Sequence, residues 1–89
     1  MTVTILAMRA ADMGACKALA SIQIGPLVIH DFRVVQQPGQ RAYVQCPQTS
    51  WIDRATGKPR YKPMLEYPAE WKADIDAAIM AEYISETYR

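Results

Sequence analysis

The sequence predicts an α+β fold: an antiparallel meander of four to five strands carrying one C-terminal amphipathic helix. Three observations predict it. Up to about residue 63 the apolar residues alternate in short runs, the period of a half-buried strand. The runs are joined by connections too short for anything but antiparallel neighbours. Beyond residue 66 the apolar spacing changes to every fourth residue, the period of a helix that covers one face of a sheet. One domain over 1–89 follows, with sheet over about 2–63 and helix over about 68–87.

Residues 2–9 alternate, with Val3, Ile5 and Ala7 on one face and Thr2, Thr4, Leu6 and Met8 on the other. Asp12 and Gly14 mark a turn across 10–15. Residues 16–24 alternate more cleanly: Ala18, Ala20, Ile22 and Ile24 oppose Lys17, Leu19, Ser21 and Gln23. Gly25-Pro26 then stops the run, because glycine admits positive φ and proline cannot donate a ladder bond. Residues 27–36, LVIHDFRVVQ, form the strongest strand, rich in β-branched types. Strict alternation puts Val28, Phe32 and Val34 on one of its faces and Leu27, Ile29 and Val35 on the other.

Gln37-Pro38-Gly39-Gln40 is a second turn, residues 41–46 return as a strand, and Pro47 closes it. From 48 to 63 the pattern weakens. Thr49 to Ile52 extend and Tyr61 pairs back, with Asp53-Arg54-Ala55-Thr56-Gly57-Lys58 as a hairpin tip and Gly57 left-handed. In the helix, Pro68 suits the first position, and Glu66 and Glu70 place negative charge at the positive end of the dipole. Trp71, Ile75, Ile79 and Tyr83, with Ala78, form its apolar stripe.

Eighty-nine residues suffice for one core with little margin: the folded surface should be about 5,200 Å² against about 14,500 Å² for the open chain. At 51% apolar and 21% charged the chain is not disordered, and a net charge of +1 creates no global field for nucleic acid or membrane. No apolar run approaches the ~20 residues that span a bilayer. The start, MTVTILAMRA, has no basic segment ahead of its apolar part and reads as a strand, not a signal peptide. Two cysteines, Cys16 and Cys46, make no disulfide framework, so a reduced, cytoplasmic chain is expected. A strand apolar on both faces asks for cover on both, and one helix covers only one. A homodimer, packing sheet to sheet or pairing edge strands, would supply the rest.

His30 is the only histidine, and with Asp31 and the cysteines it raises metal and nucleophile readings. A structural zinc site wants four ligands in paired spacing, whereas Cys16, His30 and Cys46 fall singly on separate predicted strands. The reading adopted is a histidine and two small apolar residues in or beside a sheet, with no cofactor, no metal and no catalysis. Asp31 and Arg33, two apart, point to one face and invite a same-face ion pair on the strand that a dimer would cover; a ligand-binding arginine is the alternative.

Residues 54–62 are the most informative for partners. Arg54, Lys58, Arg60 and Lys62 are four cations in nine residues without an acid, with Trp51 and Tyr61 beside or among them. Residues 66–89 carry six acids against Lys72 and Arg89. The near-zero total thus conceals a basic hairpin and an acidic helix. Cations for phosphates and aromatics for base stacking are what a nucleic-acid surface needs; a solvated loop is the bland alternative.

Three segments now carry a family likeness. Lys17-Ala18-Leu19-Ala20-Ser21-Ile22, then Val28-Ile29-His30-Asp31-Phe32-Arg33-Val34, then Tyr43-Val44 with Pro47 three further on, resemble the SpoVG family of septation and sporulation regulators. Asp76-Ala77-Ala78-Ile79 followed by Tyr83 is similar to that family's C-terminal helix, so the likeness runs over about 1–83. It implies a small α+β dimer without a known catalytic role. Such a dimer would bind DNA, and in some members RNA, and regulate cell division and gene expression. Gln48-Thr49-Ser50-Trp51 stands where members carry a Ser-Lys-Arg-Thr-like basic segment, and Thr56-Gly57-Lys58-Pro59-Arg60 where they carry an Asp-Gly-Glu-Phe-Arg-like turn; basic charge has moved along the hairpin.

The function expected is therefore a dimeric nucleic-acid-binding regulator. Arg54, Lys58, Arg60 and Lys62, with Arg41, would meet phosphates while Trp51 or Tyr61 stacks on bases. Two hairpins would make about six to eight phosphate contacts on duplex DNA, and any groove reading would be strand-based. The alternative is a protein-interaction module of division or phage-type regulatory machinery, using the acidic helix or the aromatics Tyr67 and Tyr88.

Overall fold

The computed structural model describes residues 1–87, so Tyr88 lies outside the described residues. In chain order the elements are β1 (Thr4–Met13), β2 (Cys16–Ile24), β3 (Leu27–Val35), β4 (Tyr43–Gln45), β5 (Gln48–Ile52), β6 (Pro59–Pro63) and α1 (Ala69–Thr87). β1 to β4 form an antiparallel sheet in sequential order, and β5 and β6 form a separate two-stranded sheet. The fold is the α+β meander with one C-terminal helix that the alternation predicted. The last two strands do not extend the main sheet.

The register resolves the main sheet into rows. On the helix side lie Ala10–Ala18–Val34–Val44, Met8–Ala20–Phe32 and Ile5–Ile22–Ile29. Ile75 and Ile79 of α1 close over these rows, and Phe32, Ile22, Val34, Ile75 and Ile79 are the largest fully buried side chains. The small residues Ala18 and Ala20 let the helix approach the middle of the sheet, where larger groups would hold it off. The open side carries Arg9–Leu19–Arg33–Gln45 in one row and Thr4–Gln23–Val28 in another. Between them lies Ala7–Ser21, with His30 reaching Ser21.

Three strand assignments change, and bulges are the reason. In β3 the pairs Ala20↔Phe32 and Ile22↔Ile29 leave His30 and Asp31 opposite Ser21 alone. Asp31 sits at φ 69, the left-handed conformation that lets one extra residue enter a strand. The insertion reverses the alternation, so Ile29 joins Phe32 and Val34 on the core side while Leu27 and Val28 stay exposed. The expected split of Val28, Phe32 and Val34 against Leu27, Ile29 and Val35 is thus corrected. So is the expected Asp31–Arg33 ion pair, which is absent among the described residues, since their spacing no longer fixes one face. In β1 a register shift at Leu6 puts Ile5 and Met8 together. A second, between Ala10 and Met13, lets the strand run through the expected turn at 10–15 to a two-residue turn at Gly14-Ala15.

With the bulge in place, the open side of β3 is mixed and not apolar throughout: it presents His30 and Arg33 as well as Val28. That premise for a dimer is withdrawn. Another observation takes its place. The described chain exposes 6412 Å², about 1,200 Å² more than a compact monomer of its mass. Its radius of gyration is 14.1 Å, against about 12 Å expected for its length, and its extents are 43 × 31 × 20 Å. Part of the excess is the β5–β6 hairpin, which stands off the main sheet and contacts chiefly itself.

The helix begins one residue later than expected, with Pro68 just before its first residue rather than at it. The Pro68 carbonyl accepts from the Trp71 and Lys72 amides, which makes Pro68 the cap and Ala69 the first turn. Ile75, Ile79 and Tyr83 face the core, but Trp71 is exposed and leaves the predicted stripe. Lys72 pairs with Asp76 one turn on. Among the described residues no helix is long and apolar enough to cross a membrane.

Candidate nucleic-acid interface

The hairpin is built by its own sequence. Asp53 Oδ1 accepts the Ala55 amide at 2.8 Å, and its carbonyl accepts the Gly57 amide at 2.7 Å. The Asp53 amide donates to the Lys58 carbonyl at 2.9 Å, which closes the tip. Gly57 stands at φ 70, the left-handed position that the tip required of it. At the base, the Met64 amide donates to the Pro47 carbonyl at 2.8 Å. Pairing then runs Gln48↔Pro63, Thr49↔Lys62, Ser50↔Tyr61, Trp51↔Arg60 and Ile52↔Pro59.

Directly paired residues share a face, and faces alternate along the ribbon. One face therefore presents Thr49, Trp51, Arg60 and Lys62 together, an aromatic ring among cations. The other presents Gln48, Ser50, Ile52 and Tyr61. Trp51 is 47% exposed and Tyr61 64%. Arg54 and Lys58 occupy the tip, where all residues from 54 to 62 are exposed.

The predicted cations are not equivalent. Arg60 Nε donates to Asp53 Oδ2 at 3.0 Å, so its charge is partly spent within the hairpin. Reading 54–62 as a run without acids missed this partner, which sits one residue outside the run. Antiparallel pairing across the tip, with Trp51 opposite Arg60, is the signal that could have found it. Arg54, Lys58 and Lys62 have no ion pair among the described residues. Arg41 is exposed on the β3–β4 connection, separated from the hairpin base by the length of β4, so the structure does not gather it with the others.

The sheet adds residues that sequence reasoning passed over. Arg9 and Arg33 stand in one row on the open side, and neither is ion-paired among the described residues. A trough between that side and the hairpin is lined by Arg33, Gln45, Gln48, Ser50 and Tyr61. On the other flank of the hairpin base a groove of about 380 Å³ runs along Ile29, His30, Asp31 and Met64.

His30 Nδ1 meets Ser21 Oγ at 2.9 Å on the open side. Cys16 is buried at the start of β2, about 17 Å along the strand from that contact. Cys46 packs toward the helix-side core, near the Tyr67 side chain. The sheet thus holds His30 apart from both cysteines. Among the described residues, Asp31 makes no hydrogen bond to His30. No group of three His, Cys, Asp or Glu side chains suited to a metal occurs among the described residues. Compared with models of protein families and with curated proteins, the chain matches none.

Proposed function

We propose that this chain is a small cytoplasmic protein that, as the SpoVG resemblance implies, binds nucleic acid as a homodimer and acts in septation-type or gene-expression control. The observation that carries the reading is the projecting hairpin: Arg54, Lys58 and Lys62 unpaired, with an exposed Trp51 on the same face as Lys62. A projecting two-stranded ribbon has the dimensions to enter a groove or track a strand, and its cations release counterions from phosphates. The helix, acidic on its exposed side, is repelled by phosphate and is left to structural work. With Arg60 engaged by Asp53, three cations per hairpin remain. That reduces the expected phosphate contacts to about six per dimer and the log–log salt slope on duplex DNA to about −5. Homodimerisation draws support from the excess exposed area, which is the scale that a standard interface removes from each partner.

Binding of the full chain to labelled duplex DNA and single-stranded RNA, at low and moderate salt, tests this. The reading expects salt-dependent binding that is lost when Arg54, Lys58, Arg60 and Lys62 are all changed to Glu. No binding at low salt would favour a protein-interaction module, and unchanged affinity in the variant would remove the hairpin from the site.

A further inference from the structure

We infer that the trough between the open side of the sheet and the hairpin is a pocket for one unstacked base of a single-stranded nucleic acid, so that the protein prefers single strands to duplex. The trough's role rests on the nucleic-acid reading above and specifies its ligand. Five residues line it, with a volume of about 310 Å³, at the small end of ligand pockets. Each brings a chemistry that a nucleotide uses. Tyr61, paired to Ser50 on the inner face of the ribbon, offers an exposed ring for stacking. Gln45, Gln48 and Ser50 offer amide and hydroxyl donors and acceptors to a base edge. Arg33 supplies a guanidinium without an ion pair among the described residues, placed for the adjoining phosphate.

The neighbouring charges extend the trough in two directions. Arg9 lies in the same row as Arg33 across β2, about 10 Å away, and the tip cations Arg54 and Lys58 continue along the ribbon. A strand entering between them has phosphate partners on both sides of the held base. In a duplex the base faces are already stacked and the edges are paired, so the trough has nothing to receive. Arg33 and Tyr61 line one trough because β4, paired beside Arg33, is followed within three residues by β5, which puts the base of the ribbon next to the row that contains Arg33.

The experiment measures anisotropy of labelled twelve-nucleotide single strands of RNA and of DNA, and of a DNA duplex of equal length, with wild type, Tyr61→Ala, Arg33→Gln and Gln45→Ala. Circular dichroism confirms that each variant is folded. Single strands should bind tighter than duplex. Tyr61→Ala should weaken single-strand binding roughly 5- to 100-fold, while duplex affinity moves less than about 2-fold. A strand carrying 5-bromouridine should crosslink to Tyr61 under ultraviolet light. Equal losses on single strand and duplex, or no loss and no crosslink, would overturn the trough while leaving the hairpin's nucleic-acid role standing. Absence of binding to every probe would overturn both.

Discussion

At the scale of single residues, Asp31 and Asp53 decide more than the cations that drew attention. Asp31 holds a left-handed backbone inside a strand, a conformation that aspartate tolerates and a β-branched residue resists. Asp31→Gly should therefore lie within about 1 kcal/mol of wild type, the relief of strain offset by glycine's greater unfolded freedom. Asp31→Val should lose about 2 kcal/mol or more, because it either pays the strain or erases the bulge and turns Ile29 to solvent. Urea midpoints measure this, and equal midpoints for the glycine and valine variants would contradict a left-handed residue here. Asp53 has two tasks, turning the tip through Oδ1 and holding Arg60 through Oδ2. Asp53→Asn keeps an acceptor for the Ala55 amide and removes the charge. If the hairpin binds phosphates, this change should steepen the log–log salt slope by about 0.9 per chain. A slope that stays put would mean that Arg60 does not reach nucleic acid even when released.

At the scale of elements, strands, turns and helix were legible because each rests on local rules: alternation, glycine at positive φ, proline at a boundary. The Asp53–Lys58 tip and Gly57 follow from turn chemistry alone. The faces of β1 and β3 were not legible, because a one-residue bulge leaves composition untouched and inverts everything after it. His30-Asp31-Phe32 reads as ordinary alternation unless Asp31 is known to be left-handed. Trp71 misled in a similar way, since spacing assigns a stripe but not where the stripe runs off the sheet. In the candidate site the cations and aromatics were visible in sequence, whereas Gln45, Gln48 and Ser50 belong to it only through the fold. The helix's seating gives a test. Ile75 and Ile79 are fully enclosed, and Ile79→Ala should cost about 2–5 kcal/mol, enough to unfold much of so small a domain. The segment leading into the helix gives another. Burial first, then the nearby Cys46 and Asp76, raise the Tyr67 hydroxyl above its ordinary 10.0. The folded chain holds that proton more tightly than the unfolded one. Its contribution is complete below pH 10 and falls away as pH rises past 10 toward the folded-state value. Thermal midpoints at about pH 9 and about pH 11 should therefore fall less in Tyr67→Phe than in wild type, and identical drops would deny the coupling.

At the scale of the whole molecule, one helix covers one side of the sheet, and the other side is neither greasy nor inert. It carries cations at one end, around Arg9 and Arg33, and apolar groups at the other, where Leu6 and Val28 are exposed near the β2–β3 turn. With the bulge between them, Val28 and Arg33 are about 13 Å apart along β3, far enough for the two ends to serve different partners. The bulged β1 is a poor edge for pairing with another copy, since each register shift interrupts the ladder that a second strand would extend. The proposed dimer is therefore best placed over the Val28 end, burying apolar surface and leaving the trough and the hairpin free. Light scattering should then give twice 10.0 kDa, and the thermal midpoint should rise with protein concentration. Val28→Asp with Leu6→Asp should return the mass to 10.0 kDa while single-strand affinity per chain falls only by the lost avidity of paired hairpins. If wild type stays at 10.0 kDa at high concentration, the dimer is wrong, and the exposed area belongs to the ribbon and its ligand alone. If the charged pair of substitutions leaves the dimer intact, the copies meet elsewhere, and a loss of single-strand binding on dimerisation would place that meeting over Arg33.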